Sequence, residues 1–260
     1  MTAQAALNEV KEEAKSLSST ILASPALVAL STLVCGGASY GIYWRYLRRI
    51  PTAAHLTPTT LRWRRTLVGR CTSVGDADGF RLYHTPGPVL LRDILYPVPS
   101  SSKATRKGRQ LHSDETISIR LAGADAPEAA HFGNVAQPFS KEAHDELRRL
   151  VLGRTVWCEV AHVDQYGRLV ATPYVLRWPY VLGRTNVSLY LVKKGLASVY
   201  SQAGAAYGTA GPLAKLVRRL ARLRRAQERA KRKRLGMWSQ KHVETPEEYK
   251  KRTREARQQQ

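Results

Sequence analysis

The sequence predicts an α+β fold, a group of five short strands with accompanying helices, preceded by one apolar helix. Three observations lead there. Residues 16–44 form a run of 29 positions without a charged side chain. Five segments, near 68–74, 80–84, 116–122, 155–160 and 169–176, alternate apolar and polar residues and are rich in β-branched side chains. Three later segments repeat their apolar residues at helical spacing.

The first element is the apolar helix. Ile21 to Trp44 is rich in Leu, Val, Ala and Gly, and a bilayer core needs roughly 20 mostly apolar residues in a helix. Tyr40, Tyr43 and Trp44 sit at its end, where an aromatic belt belongs, and Arg45, Arg48 and Arg49 follow at once. Glu9, Glu12 and Glu13 replace the basic start of a cleaved signal peptide. The organisation expected is a short N-terminal tail over 1–18, a single transmembrane helix over 19–44 and a Pro- and Thr-containing linker over 45–66. A main domain over 67–239 and a basic, disordered tail over 240–260 complete it.

Within the main domain, Gly75-Asp76-Ala77-Asp78-Gly79 breaks the first two strands as a turn does. Residues 93–115 hold Pro97, Pro99, a serine run and Lys103, Arg106, Lys107 and Arg109, the composition of an inserted mobile loop. A helix is expected from an N-cap at Ser140, with Ala143, Leu147, Leu150 and Val151 on one face and Gly153 as its stop. Asn186 caps a second helix that buries Val187, Tyr190 and Leu191. A third runs from Pro212 to about Leu235, with Leu213, Leu216, Leu220 and Leu223 as its stripe.

The net charge is +22, which indicates a polyanionic partner, either nucleic acid or an acidic membrane surface. Residues 213–260 carry 17 lysines and arginines against five glutamates. The three cysteines, Cys35, Cys71 and Cys158, have no spacing that suits a disulfide framework or zinc, and free thiols are expected. The histidines have no metal-ligand spacing, and no P-loop is present.

Arg120, Glu128 and Arg168 carry the chemistry. A carboxylate can take a proton from water. Two planar guanidinium forks can clamp phosphate oxygens and balance charge in the transition state. Asp125, with an acidic partner, can hold a hard cation through oxygen. That set suits phosphodiester hydrolysis.

Arg120-Leu-Ala-Gly-Ala-Asp125-Ala-Pro127-Glu128, then Gln137-Pro-Phe-Ser-Lys-Glu-Ala143, then Tyr166-Gly167-Arg168, then Asn186 leading into Gly195-Leu-Ala197, then Leu235-Gly-Met-Trp238, resembles the staphylococcal-nuclease-like (thermonuclease) family. Order and spacing match from about residue 67 to 239. The resemblance implies a five-stranded OB-fold-type β-barrel with helices and calcium-dependent cleavage of DNA and RNA. It implies Asp78 and Asp125 as calcium ligands, with Asp76 a second candidate in the same turn. It implies Glu128 as general base and Arg120 and Arg168 as catalytic arginines. Tyr166 and Tyr200 can stack on or hydrogen-bond a nucleotide, although a core position suits Tyr200 equally. The layout resembles the fungal mitochondrial membrane-anchored branch, which implies a mitochondrial location. The alternative reading is a membrane-tethered OB-type module that binds nucleic acid without cutting it. No protein partner is implied.

Overall fold

The computed structural model describes residue 11 and residues 24–88, 91–98, 113–130, 135–177, 183–200 and 213–258. It divides into two units, Met1–Arg48 and Arg49–Gln260.

In the first unit, α1 spans Pro25–Ile42, with proline at its first position, where a missing N–H costs nothing. A π-helical turn over Tyr43–Leu47 continues it. No residue of α1 is buried. The Ser31 and Thr32 hydroxyls both donate to the Val28 carbonyl, at 2.9 and 2.8 Å, so these polar groups are satisfied inside the helix. The whole stretch Pro25–Leu47 has 23 residues and is long and apolar enough to cross a membrane. At about 1.5 Å per residue it exceeds a hydrocarbon core of about 30 Å.

The second unit is built on a closed barrel. Strand β1 (Thr66–Ser73) pairs antiparallel with β2 (Gly79–His84), and β2 pairs antiparallel with β3 (Ile117–Leu121). A two-residue strand, β4 (Ala124–Asp125), follows. Strand β5 (Thr155–Val163) pairs antiparallel with β1 on its other side and with β6 (Leu169–Leu176). A parallel pairing of β3 with β6 closes the ring of five. Strand β7 (Arg184–Asn186) extends β6, and β8 (Ser198–Val199) pairs with β4. The five predicted strands are these five barrel strands, because period-2 alternation is a direct image of an inside and an outside. On β3, Ile117, Ile119 and Leu121 are buried in the core while Ser118 and Arg120 lie on the other face. Cys71 and Cys158 are buried free thiols, and burial pushes the Cys71 thiol up to about 12.

The helices cover the barrel. Helix α2 (Pro58–Arg62) is capped by the Thr57 hydroxyl and buries Thr60. Helix α3 (Ser140–Val151) buries Ala143, Leu147, Leu150 and Val151, the face expected. Its N-cap is Phe139, in the left-handed region at φ 66°, not Ser140. The Ser140 amide is committed to the Gln137 carbonyl at 3.2 Å, which starts the helix one residue earlier than expected. Helix α4 (Val187–Lys193) has the expected cap, since Asn186 accepts from the Leu189 amide at 2.9 Å. Helix α5 (Leu213–Arg232) buries Leu223 and half-buries Leu220. The side chains of Leu213 and Leu216 lie outside the described residues.

Part of the expected linker over 45–66 packs on the barrel. The Ile50 amide donates to His84 Nδ1 at 2.9 Å, and Ala53 and Thr60 are buried, so the chain joins the barrel from residue 49 onward. The tail over 240–260 is not disordered throughout, because it forms α6 (Pro246–Gln258). Thr245 and Glu248 build a reciprocal cap there. The Thr245 amide donates to Glu248 at 2.8 Å, and the Glu248 amide donates to the Thr245 hydroxyl at 3.3 Å. Most of the expected mobile insertion, residues 99–112 with its basic cluster, lies outside the described residues.

Candidate active site

Strand register places the first group. Gly79 is opposite Arg120, and the Leu121 amide donates to the Asp78 carbonyl at 2.9 Å, so Asp78 stands beside the end of β3. After β3 the chain turns at Ala122–Gly123 and returns as β4, which ends on Asp125. The outward-facing Arg120 therefore lies between two carboxylates. One terminal nitrogen is 3.3 Å from Asp78 and 3.0 Å from Asp125. Burial opposes the Arg120 charge, but the neighbouring carboxylates outweigh it and hold the guanidinium above its ordinary range. Asp76 is exposed at the turn, which leaves Asp78 as the carboxylate that meets Arg120.

Asp125 is 1% exposed. Burial lifts its carboxyl above the usual range, with the Lys250 ammonium pulling the other way. The β4–β8 pairing and a 3.3 Å hydrogen bond from the Ser198 hydroxyl to the Asp125 carbonyl fix its backbone.

Glu128 follows the buried Pro127 and is held by Gln137 on both backbone groups. The Glu128 amide donates to the Gln137 side-chain oxygen at 2.9 Å, and the Gln137 amide donates to the Glu128 carbonyl at 2.9 Å. The carboxylate stays 38% exposed, within reach of water. Lys250, on α6, shows how near it is to Asp125. The Lys250 ammonium lies 2.8 and 2.9 Å from the two Asp125 oxygens and 2.9 Å from Glu128.

Arg168 ends the turn before β6, the strand beside β3. Val170 is the register partner of Arg120 across the parallel pairing, and Arg168 lies two residues before it. The Asp164 carboxylate organises the turn. It accepts from the Tyr166 and Arg168 amides at 2.9 and 2.8 Å and from Arg168 Nε at 2.8 Å. Burial raises the Asp164 carboxyl, but these hydrogen bonds outweigh it and hold it below the usual range. Tyr166 is 72% exposed at the tip of the turn, with the Arg168 guanidinium 5.3 Å from its ring centre. Tyr200 packs half-buried against the core, donates its amide to the Gly123 carbonyl at 3.4 Å, and lies within electrostatic reach of Arg120.

Asp78, Arg120, Asp125 and Glu128 thus gather at one end of the barrel, with Arg168 in the turn that leads into the adjoining strand β6. Three further residues of the site were not foreseen. Asp164 carries a sequence signal, since an aspartate opening a Gly-containing turn commonly caps it with its side chain. Gln137 opens one of the segments that carry the family resemblance, though nothing local gives its role; Lys250 carries no signal. Among the described residues, no group of three or more His, Cys, Asp or Glu side chains is placed to hold a metal ion. Asp78 and Asp125 share the Arg120 guanidinium, and Asp125 and Glu128 share the Lys250 ammonium, so these oxygens are placed to hold positive charge, as a hard cation requires.

A family model described as staphylococcal nuclease homologue matches residues 118–240, which span β3 through the turn after α5. The "Probable endonuclease LCL3" of Coccidioides posadasii is 42% identical over 235 residues, covering 87% of this chain and 70% of that protein. The chain belongs to the staphylococcal nuclease homologue family. Two further relatives agree. The "Probable endonuclease lcl3" of Pyrenophora tritici-repentis is 40% identical over 251 residues, covering 90% of this chain and 85% of that protein. That of Aspergillus oryzae is 44% identical over 238 residues, covering 87% and 79%. This family member is a nuclease, a hydrolase of phosphodiester bonds.

Proposed function

We propose that this nuclease is a membrane-anchored, calcium-dependent endonuclease acting on DNA and RNA. The observation that carries the reading is the placement of Arg120 between Asp78 and Asp125, with Glu128 close enough to share one ammonium with Asp125. Glu128 accepts the proton of the attacking water. Gln137 fixes its backbone, so the carboxylate is aimed before substrate arrives. Arg120 and Arg168 clamp the phosphate oxygens and offset the charge that builds on them. A guanidinium hardly ever deprotonates, so neither arginine serves as proton donor. Asp164 engages Arg168 through Nε and sets its orientation, and the terminal N–H groups are those that a phosphate fork uses. Tyr166 and Tyr200 hold the nucleotide by stacking or hydrogen bonding.

Asp78 and Asp125 would hold calcium through oxygen, alongside water and phosphate oxygens. Calcium there would supply positive charge near the scissile phosphate. Two carboxylates give weak binding in the free chain, strengthened by a nucleotide. The segment Pro25–Leu47 supports a single-pass anchor, and Arg45, Arg48 and Arg49 favour a nuclease domain on the positive-inside face. The mitochondrial assignment rests on the family resemblance.

Incubation of the full chain with single-stranded DNA and with RNA tests this reading. Cleavage is expected with calcium and not with chelator. Magnesium should substitute poorly, because it demands near-ideal octahedral geometry. Asp125→Asn is the better ligand variant than Ala, since Asp125 is buried against Arg120 and Lys250 and the amide preserves its shape. It should lose activity and keep its fold. Full cleavage in chelator, or by Asp125→Asn, contradicts the metal assignment.

A further inference from the structure

The ammonium of Lys250 stands on both oxygens of Asp125, one of the two carboxylates proposed above to hold calcium. Calcium binds oxygen at about 2.3–2.6 Å. An ammonium 2.8 and 2.9 Å from the two Asp125 oxygens stands on the same donors. The two cations exclude one another by space and by charge. The same ammonium also holds the Glu128 carboxylate at 2.9 Å, the group that must meet water. Helix α6, which brings Lys250 there, has a small docked face. Tyr249 is buried and its hydroxyl donates to the Val135 carbonyl at 2.7 Å. The Gln137 side chain donates to the Glu244 carbonyl at 3.2 Å. Around these, Glu248, Lys251 and Arg252 are exposed. The helix carries its own Thr245–Glu248 cap and an Arg252–Glu244 ion pair at 2.7 Å, which do not depend on the barrel. It can therefore leave the site without losing its local supports.

We propose that α6 is a built-in inhibitor of the site: Lys250 holds the oxygens of Asp125 and Glu128, and a divalent cation drawn to Asp78 and Asp125 must displace it before catalysis. This rests on the nuclease reading of the same residues. Lys250 ties Asp125 and Glu128 together, Tyr249 latches the helix, and Gln137 links both, touching Glu128 with one side-chain atom and the tail with the other. Calcium and the docked helix compete, so the apparent affinity for calcium falls by the fraction of chains in which the site is free.

The test uses the full chain, with calcium alone as the probe, titrated by calorimetry without nucleic acid. Lys250→Gln should tighten calcium binding by on the order of tenfold, the factor for a helix docked in about nine chains of ten. Tyr249→Phe, which keeps Lys250 and removes the latch, should tighten it by less. Lys251→Gln removes the same charge from an 80% exposed neighbour and should change nothing, which separates competition from general electrostatics. In the wild type, calcium should also speed tryptic cleavage at Lys250–Arg252, because an undocked helix is open to protease. Equal calcium affinity in wild type and Lys250→Gln overturns the proposal alone. No calcium binding by either chain overturns it together with the calcium reading. Loss of cleavage by Lys250→Gln at every calcium concentration also overturns it, by making Lys250 a working part of the site.

Discussion

His84 is a buried imidazole that accepts the Ile50 amide on Nδ1, and so must stay neutral on that nitrogen. Burial lowers its pKa, and Arg49, Arg65 and Arg92 lower it further, to about 3. In the unfolded chain it titrates near its ordinary value of about 6.5. Between those two values the unfolded chain holds a proton that the folded chain refuses. Stability therefore rises with pH across that window, by at most about 1.4 kcal/mol per unit from this group. His84→Asn keeps an acceptor for Ile50 and removes the titration. Denaturant midpoints at about pH 4 and pH 7 should lie closer together for the variant than for the wild type. An unchanged gap assigns the acid sensitivity to other groups. The site's carboxylates obey the same physics with more partners. Asp125 is desolvated, which favours its neutral form, and remains useful as an oxygen donor because cations stand against it.

At the scale of elements, the segments Gly195-Leu-Ala197 and Leu235-Gly-Met-Trp238 meet. Gly195 has φ 69° and Gly236 has φ 55°, both in the left-handed region. A Cβ on Gly195 would lie 2.1 Å from the Leu235 carbonyl oxygen, and one on Gly236 would lie 2.3 Å from the Gly195 carbonyl oxygen. The Met237 amide donates to the Gly195 carbonyl at 2.9 Å and locks the contact. Gly195→Ala meets both the left-handed strain and the backbone clash. It should cost more than about 2 kcal/mol, read as a drop in denaturant midpoint. A midpoint within error of wild type means that the two backbones do not touch as described. These elements also show what the sequence reveals. The strands, the face of α3 and the Asn cap of α4 follow from local signals; α4 buries Val187 and Leu191 as expected but leaves Tyr190 half-buried, with Ser188 and Val192 buried instead. The cap of α3 was misplaced by one residue because Ser140 is the better capping type, while a backbone contact to Gln137 decides the geometry. Helix α6 has no clear sequence signal, because its apolar content is little more than Pro246 and Tyr249, and its docking depends on Val135 and Gln137, more than a hundred positions away. Asp78, Arg120 and Asp125 were legible as candidates, but only strand register brings them together. Lys250 was not legible at all, being one of 42 basic residues with nothing local to single it out.

At the scale of the whole molecule, an apolar 23-residue helix and a basic nuclease domain are joined in one chain of net charge +22. Both an anionic bilayer and a nucleic acid suit that charge. Much of it sits in residues 213–260, where α5 and α6 carry it. Helix α6 does not simply add phosphate contacts, since one of its lysines is turned into the site. The basic charge of this segment thus has two fates, an exposed face and a plugged centre. The central claim remains that the end of the barrel holding Asp78, Arg120, Asp125 and Glu128 cuts phosphodiester bonds. Single-turnover cleavage of single-stranded DNA in saturating calcium, wild type against Glu128→Gln, tests it most directly. The variant keeps the size and most of the hydrogen bonding of Glu128 and loses only its capacity as a base, so the rate should fall by roughly two to four orders of magnitude. Cleavage by Glu128→Gln at the wild-type rate would contradict the account.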